Sequence, residues 1–355
     1  MKIIKPSYYD QFHCIAGACP DSCCQEWDVQ VDKDAAQRYL SLPGALGDRL
    51  RQKLKQDEDG SYFLEITDRR CPMWRRDGLC QIQAELGEEG LCHVCREFPR
   101  LRHDYGDFVE LGLELSCPEA ARLIFTAPVE PFVVQETADS ADPEYDLIDM
   151  EILLRTRAQA LEILEQHPLY QAMTLLLLYG YRAQDELDGA DATPWEPERE
   201  LAFAEQMAEG CDWDALRELY AGLDILTPRW AERLRSPAPA FDDSLRRMIR
   251  CGIERYWLQA ISDLDLVCRI KAILAGALLI GHLGGNPITT AQLYSKEIDN
   301  SIDNFEALLD AAYTHPALTD RHLLGLIQSL ASYPPSTQKS KKSSKYPLTF
   351  HLSML

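Results

Sequence analysis

With 355 residues, 46% of them hydrophobic and 26% charged, the chain is long enough to bury one large core or two ordinary ones, and its composition excludes wholesale disorder. Its 36 Lys and Arg against 57 Asp and Glu give a formal net charge of −21. That balance opposes a phosphate backbone, which needs clustered cations, so no nucleic-acid partner is expected; an acidic surface suits a lysine-rich protein segment better.

The opening MKIIKPSYYDQFHC has Lys2 and Lys5 but no apolar run before Pro6, so an export signal is not expected and the chain is assigned to the cytoplasm. Three short stretches rich in aromatic and β-branched residues follow as strand candidates: WDVQV at 27–31, YFLEI at 62–66 and FVELGLEL at 108–115. Between them DAAQRYLSL and residues 81–86 carry helical patterns. The Pro-, Asp- and Thr-rich APVEPFVVQETADSADPEYD reads as an exposed connection.

Beyond it, MEILLRTRAQALEILEQ and LYQAMTLLLLYGYRAQDEL repeat apolar residues at three- and four-residue intervals, as amphipathic helices do. The loops DGADATPWEP and SPAPAFDD separate further helical blocks, SLRRMIRCGIERYWLQAI and LVCRIKAILAGALLIGHL. The longest apolar run, 272–280, falls short of the ~20 residues a bilayer requires and reads as a buried helix. No membrane partner is expected. The resulting fold class is α+β, predominantly α: a cysteine-rich metal-binding domain at 1–126, a linker at 127–148, a helical domain at 149–335, and a flexible basic tail at 336–355 with Lys339, Lys341, Lys342 and Lys345.

Nine of the twelve cysteines, Cys14, Cys19, Cys23, Cys24, Cys71, Cys80, Cys92, Cys95 and Cys117, lie in the first third. A reducing compartment disfavours disulfides among them. Structural zinc usually shows two C-x2-C knuckles, and only Cys92-His93-Val94-Cys95 has that form. The first group reads C-x4-C-x3-C-C, with a Pro20-Asp21 turn that lets sulfurs converge on a soft metal centre; thiolates suit zinc and iron–sulfur clusters alike. Ser116 and Glu119 have capping-box spacing, which would place Cys117 in a helix's first turn, where the dipole favours a thiolate. His13 and His93 are weaker metal candidates, and Trp27 and Trp74 read as cover for the metal site.

In order, FHCIAGACPDSCCQEWDVQVD, CPMW, LCQI, CREFPR and LSCPE resemble the flagellin lysine-N-methylase family over roughly residues 8–120. The stretch 19–100 is similar, more loosely, to a broader family of zinc- or iron-chelating proteins. The resemblance implies methyl transfer from S-adenosylmethionine to surface lysines of flagellin, by an enzyme carrying a [4Fe–4S] cluster. With the spacing, it implies metal ligands among Cys19, Cys23, Cys24, Cys71, Cys80 and Cys95, then Cys14, Cys92 and Cys117, with Cys211, Cys251 and Cys268 outside the set. No glycine-rich nucleotide loop follows a predicted strand. Arg96 and Arg100 are the candidates for the cosubstrate carboxylate, with ion pairing inside the fold as their other reading; no catalytic base is identified. Two further readings stand beside methyl transfer: a non-enzymatic interaction module stabilised by zinc or an iron–sulfur cluster, and a redox sensor that changes partner affinity when a cluster is lost.

Overall fold

The computed structural model describes residues 1–25, 27, 29–137, 141–191 and 194–332. The tail expected at 336–355 lies outside them. Strands are short and helices numerous. In order, the elements are β1 (Lys2–Lys5), β2 (Val29–Val31), α1 (Lys33–Ser41), α2 (Gly44–Lys53), β3 (Leu54–Gln56), β4 (Tyr62–Leu64), α3 (Gln81–Leu86), α4 (His93–Glu97), β5 (Arg100–Asp104), β6 (Phe108–Leu113), α5 (Pro118–Thr126) and β7 (Val133–Glu136). There follow α6 (Leu147–Gln166), α7 (Leu169–Leu187), α8 (Pro197–Met207), α9 (Trp213–Ala221), α10 (Pro228–Arg235), α11 (Leu245–Tyr256), α12 (Val267–Leu283), α13 (Pro287–Glu297), α14 (Ile302–Thr314) and α15 (Asp320–Ser329). An α+β fold, predominantly α, is what the helical periodicities in the second half predict.

Two sheets divide the strands. β2, β4 and β3 form a small antiparallel sheet in which Val31 pairs with Tyr62 and Leu54 with Leu64. The other sheet has the order β5-β6-β1-β7, with β1 parallel to β6 (Ile3 beside Val109) and antiparallel to β7 (Ile4 beside Val134). The first residues of the chain thus sit between strands roughly a hundred residues downstream. Residues 127–148, read as a connection, contain β7.

The apolar residues gather into two cores. A small one joins Val29, Val31, Tyr39, Leu50, Leu64, Met73 and Ile82 to buried Cys71 and Cys92. The large one takes Phe108, Leu113, Ala120 and Ile124 from the sheet side and continues through α6, α7, α11, α12 and α15. Segments 1–12 and 100–136 therefore pack with the helices, leaving 14–97 as a cysteine-rich lobe.

Every residue of α12 is buried, which is why its sequence is apolar on all sides rather than striped. Its two cations are paired: Arg269 Nη2 lies 2.9 Å from Asp263 Oδ2, and Lys271 Nζ lies 2.9 Å from Asp320 Oδ1. Among the described residues no helix is long and apolar enough to cross a membrane.

The sheet is fastened to α6 by one buried ion pair, in which Arg157 donates to the two oxygens of Glu110 at 2.8 and 2.5 Å. Removing one member of such a pair strands the other charge. Arg157→Met should therefore destabilise the protein by about 3–5 kcal/mol, while the double change Arg157→Met with Glu110→Gln should recover most of the loss. Urea unfolding midpoints of the two variants decide this.

Candidate metal centre

Five segments deliver the nine N-terminal thiols. In the first, a 3₁₀ turn at Ala16–Ala18 lets the Ala16 N–H reach Cys14 Sγ at 3.4 Å, and Cys19 Sγ lies 3.3 Å from the Asp21 carbonyl. The chain then turns through Cys23 and Cys24, whose N–H meets Ser22 Oγ at 3.2 Å. Cys71 is tied to this run by the backbone, its N–H donating to the Cys24 carbonyl at 2.8 Å.

The CPMWRRDGLC segment folds back on itself at Asp77 and Gly78, where φ is +82°, a value that favours glycine. Trp74 thereby faces Cys80 in an isolated antiparallel bridge, and Gln81 N–H donates to the Met73 carbonyl at 2.7 Å. Cys80, Cys92 and Cys117 then occupy the same kind of place, each the residue that caps a helix N-terminus, of α3, α4 and α5 respectively. Cys95 follows Cys92 by one turn of α4.

All nine thiols are free. Cys24 Sγ receives hydrogen bonds from the thiols of Cys23 and Cys71 and from the Ser22 hydroxyl, which outweigh burial and lower its pKa to about 3. The donors shift the other way: Cys23 and Cys71 are pushed up by giving that hydrogen bond, with burial adding to the effect. The pattern recurs in α4, where the Cys95 thiol donates to Cys92 and lowers it to about 7, while Cys95 rises.

Weaker electrostatic links join these groups, from Cys80 to Cys24 and Cys92, from Cys95 to Cys23 and Cys24, and from Cys117 to Cys19 and Cys14. Burial raises Cys117 to about 11 against the opposing N–H groups of Ala120 and Glu119. The sequence motifs thus do come together. Among the described residues, however, no three of His, Cys, Asp or Glu stand at the spacing of a closed metal site. The donor set is of the right chemical type for a soft metal, crowded, reduced and partly thiolate, but the coordination polyhedron is not preformed. Cys211, Cys251 and Cys268 belong to the helical half.

The remaining candidates are engaged with the fold. Arg96 Nε lies 3.3 Å from Glu97 Oε1, and Arg100 lies over the Phe12 ring at 5.3 Å. His13 Nδ1 is 3.0 Å from the Gln11 carbonyl. Trp74 is covered by Arg70 at 4.7 Å, and Trp27 meets Phe98 edge-on at 5.9 Å with Lys296 Nζ 5.5 Å from its ring. The capping box expected at Ser116 and Glu119 does not form: Cys117 itself is the capping residue, and Glu119 turns to Arg122, with oxygen–nitrogen distances of 2.9 and 2.6 Å. A forward ion pair one helical turn away competes successfully with the backward reach to the cap.

Two carboxylates position the lobe. Asp21, within CPDSCC, accepts from Gln292 Nε2 at 2.7 Å and from Lys296 Nζ at 3.2 Å, fixing the first cysteine run to α13. Asp32 caps α1 by accepting from Ala35 N–H at 2.9 Å and, with its second oxygen, takes His93 N–H at 2.7 Å. It therefore clamps the C-H-V-C helix to α1. The signal for Asp32 was present as an Asp directly before a helical pattern; its link to His93, 61 residues away, was not.

The chain is 31% identical over 150 residues to lysine-N-methylases of Salmonella typhimurium (strain LT2) and Salmonella choleraesuis, a match covering 39% of this chain and 37% of each relative. It is 33% identical over 132 residues to the flagellar biosynthetic protein FliU of Salmonella muenchen, covering 36% of this chain and 78% of that relative. The matches to the lysine-N-methylases thus span little more than a third of their length. No family model and no solved structure matches the chain.

Burial raises the Asp32 pKa and the N–H groups of His93 and Ala35 lower it, with a net depression. Its stabilising contribution is complete above the unfolded-state value of about 3.9 and is lost as pH falls through the lower folded-state value. Asp32→Ala should cost about 1 kcal/mol near neutral pH, and the gap from the unsubstituted protein should hold steady down to ~pH 5 and narrow as pH falls below ~4 toward ~2. Urea titrations across that range test it; a gap that stays constant would show that the carboxylate charge plays no part.

Proposed function

Because this chain belongs to the flagellin lysine-N-methylase family, we propose that it transfers methyl groups from S-adenosylmethionine to lysine ε-amino groups on flagellin, in the cytoplasm, with its N-terminal thiols holding a [4Fe–4S] cluster. The observation that carries the reading is the identity extending over most of the flagellar relative, combined with the lysine-N-methylase name of the longer ones. The acidic chain supports it, since net negative charge draws in basic side chains through an attraction that salt weakens.

Methyl transfer sets two requirements. A lysine with a reference pKa of about 10.4 must lose its proton before its nitrogen attacks, and the sulfonium methyl must lie in line with that nitrogen. Burial beside cations or apolar groups meets the first, and a site that fixes both reactants meets the second.

Among the thiols, Cys24, Cys71, Cys80 and Cys95 are proposed as the inner ligands with Cys23 and Cys92 beside them, because hydrogen bonds and electrostatic links join these six. Cys14, Cys19 and Cys117 form the adjoining set. When bound, a cluster would supply a soft cationic centre to offset the thiolate charge of the lobe.

Two outcomes are expected. Protein purified without oxygen should contain iron and acid-labile sulfide, and Cys24→Ser or Cys71→Ser should empty it while Cys211→Ser and Cys268→Ser leave the content unchanged; colourless protein with zinc alone refutes the iron–sulfur assignment. Flagellin from cells lacking this protein should lose its methyl-lysine mass increments. Identical intact masses with and without the protein would remove flagellin as the substrate.

A further inference from the structure

The four-stranded sheet has β5 at one edge and β7 at the other. An unpaired strand edge is a template for another strand, and proteins commonly blunt it with charge. β5 follows that rule: it reads RLRHD, with Arg102 paired to Asp104 at 2.9 Å. β7 does not. It reads VVQE, all four residues are exposed, and Val133 and Val134 keep 43% and 56% of their surface open. Among the described residues no strand pairs with its outer side.

Register decides which backbone groups that side presents. Val134 stands opposite Ile4 and Glu136 opposite Lys2, and Thr137 N–H donates to the Met1 carbonyl at 2.9 Å. Bonded and non-bonded positions alternate in an antiparallel pair, so Val133, Gln135 and Thr137 exchange bonds with β1. Val134 and Glu136 therefore turn their N–H and C=O groups outward, and their side chains share one face.

Carboxylates flank this edge. Glu130 precedes the strand and Glu136 ends it, and residues 142–145 return to the same end of the sheet, where Tyr145 Oη donates to Asp107 Oδ1 and Lys2 N–H to the Asp107 carbonyl. Glu130, Glu136, Asp142 and Glu144 are exposed, and none has an ion-pair partner among the described residues, Glu136 included although Lys2 stands opposite it. The other end of β7 faces the thiol lobe. Val133 pairs with Lys5, from which the chain runs on to Cys14, and β6, parallel to β1, ends at Leu113, four residues before Cys117.

We propose that the outer edge of β7 is a docking site for an extended, lysine-bearing protein segment, which adds to the sheet as a fifth strand with an apolar side chain beside Val134 and a lysine two positions away beside Glu136. Main-chain bonds to Val134 and Glu136 hold the segment, and the two side chains select its sequence. The occupant rests on the methyl-transfer reading above: it is a segment of the methyl-acceptor protein, laid along an edge that leads toward the thiols.

Residue-resolved hydrogen exchange and fluorescence anisotropy on the full chain test this with two probes, purified flagellin monomer and a short blocked peptide in which valine alternates with lysine and threonine. Bound peptide should slow exchange at the Val134 and Glu136 amides and leave those of Val133 and Gln135, already bonded to β1, nearly unchanged. Val134→Pro removes an outward N–H and leaves the β1 ladder its donors; Glu136→Lys reverses the charge and alters no backbone bond, which keeps the test open should proline disturb the strand. Each should weaken both probes by about tenfold or more. Unchanged affinity in both variants overturns the site, and so does binding that adds no protection at the two amides, since the segment then lies elsewhere. Protection already present without a probe, from a second copy or from the chain itself, overturns the choice of occupant. Edge-dependent binding of both probes with no methylation of flagellin would sustain the docking site and refute the lysine-methylation reading instead.

Discussion

One carboxylate joins the two halves of this protein. Asp21 stands in the middle of the first cysteine run, yet its partners are Gln292 and Lys296 on α13 and, at 3.7 Å, Arg229 on α10. The Lys296 side chain is only 3% exposed. Taking both charges out of water is costly, so the pair is better read as fixing geometry than as adding stability. The cost of leaving either member alone is what holds the cysteine run to the helices. Gln292 extends the anchor by donating to the Ser116 carbonyl at 2.8 Å, which places Cys117 against the same helix. Cysteines almost a hundred residues apart in sequence thereby share one support.

The thiols impose a second constraint. Hydrogen bonds between neighbouring thiols favour the ionised form of the acceptor and oppose that of the donors, as at Cys24 beside Cys23 and Cys71 and at Cys92 beside Cys95. Further deprotonation crowds like charges, which is why the donor of each pair is pushed up while the acceptor falls. A soft cation removes that conflict, since every sulfur can then face it as a thiolate. Placement at the start of α3, α4 and α5 works in the same direction for Cys80, Cys92 and Cys117, because helix dipoles present their positive ends there.

What the sequence disclosed divides along the range of the interactions. Local patterns located β2, β4, β6 and α1, and the uniform apolarity of 272–280 marked the buried α12. Lys2–Lys5 gave no sign of being a strand, because its partners are Val109 and Val134 and a four-residue strand has no pattern of its own. β7 was hidden in a Pro- and Asp-rich stretch for the same reason. The cysteine motifs announced a thiol cluster through composition alone, whereas the carboxylates that organise it, Asp21 and Asp32, act on residues 271 and 61 positions away.

The short segment after β6 connects these features. Glu114 accepts from Arg255, Ser116 gives its carbonyl to Gln292, and Cys117 stands within electrostatic reach of Cys14 and Cys19. Three residues within a four-residue stretch therefore meet Arg255, the α13 anchor and the thiols in turn. Each contact fixes a backbone or side-chain position that the next one depends on: Cys117 N–H donates to the Glu114 carbonyl at 3.3 Å, and Glu114 N–H donates to the Pro99 carbonyl at 2.8 Å. A segment so short and so fully bonded has little freedom to absorb displacement. The position of Cys117 and the position of the Glu114 carboxylate that accepts from Arg255 are consequently set by one piece of backbone.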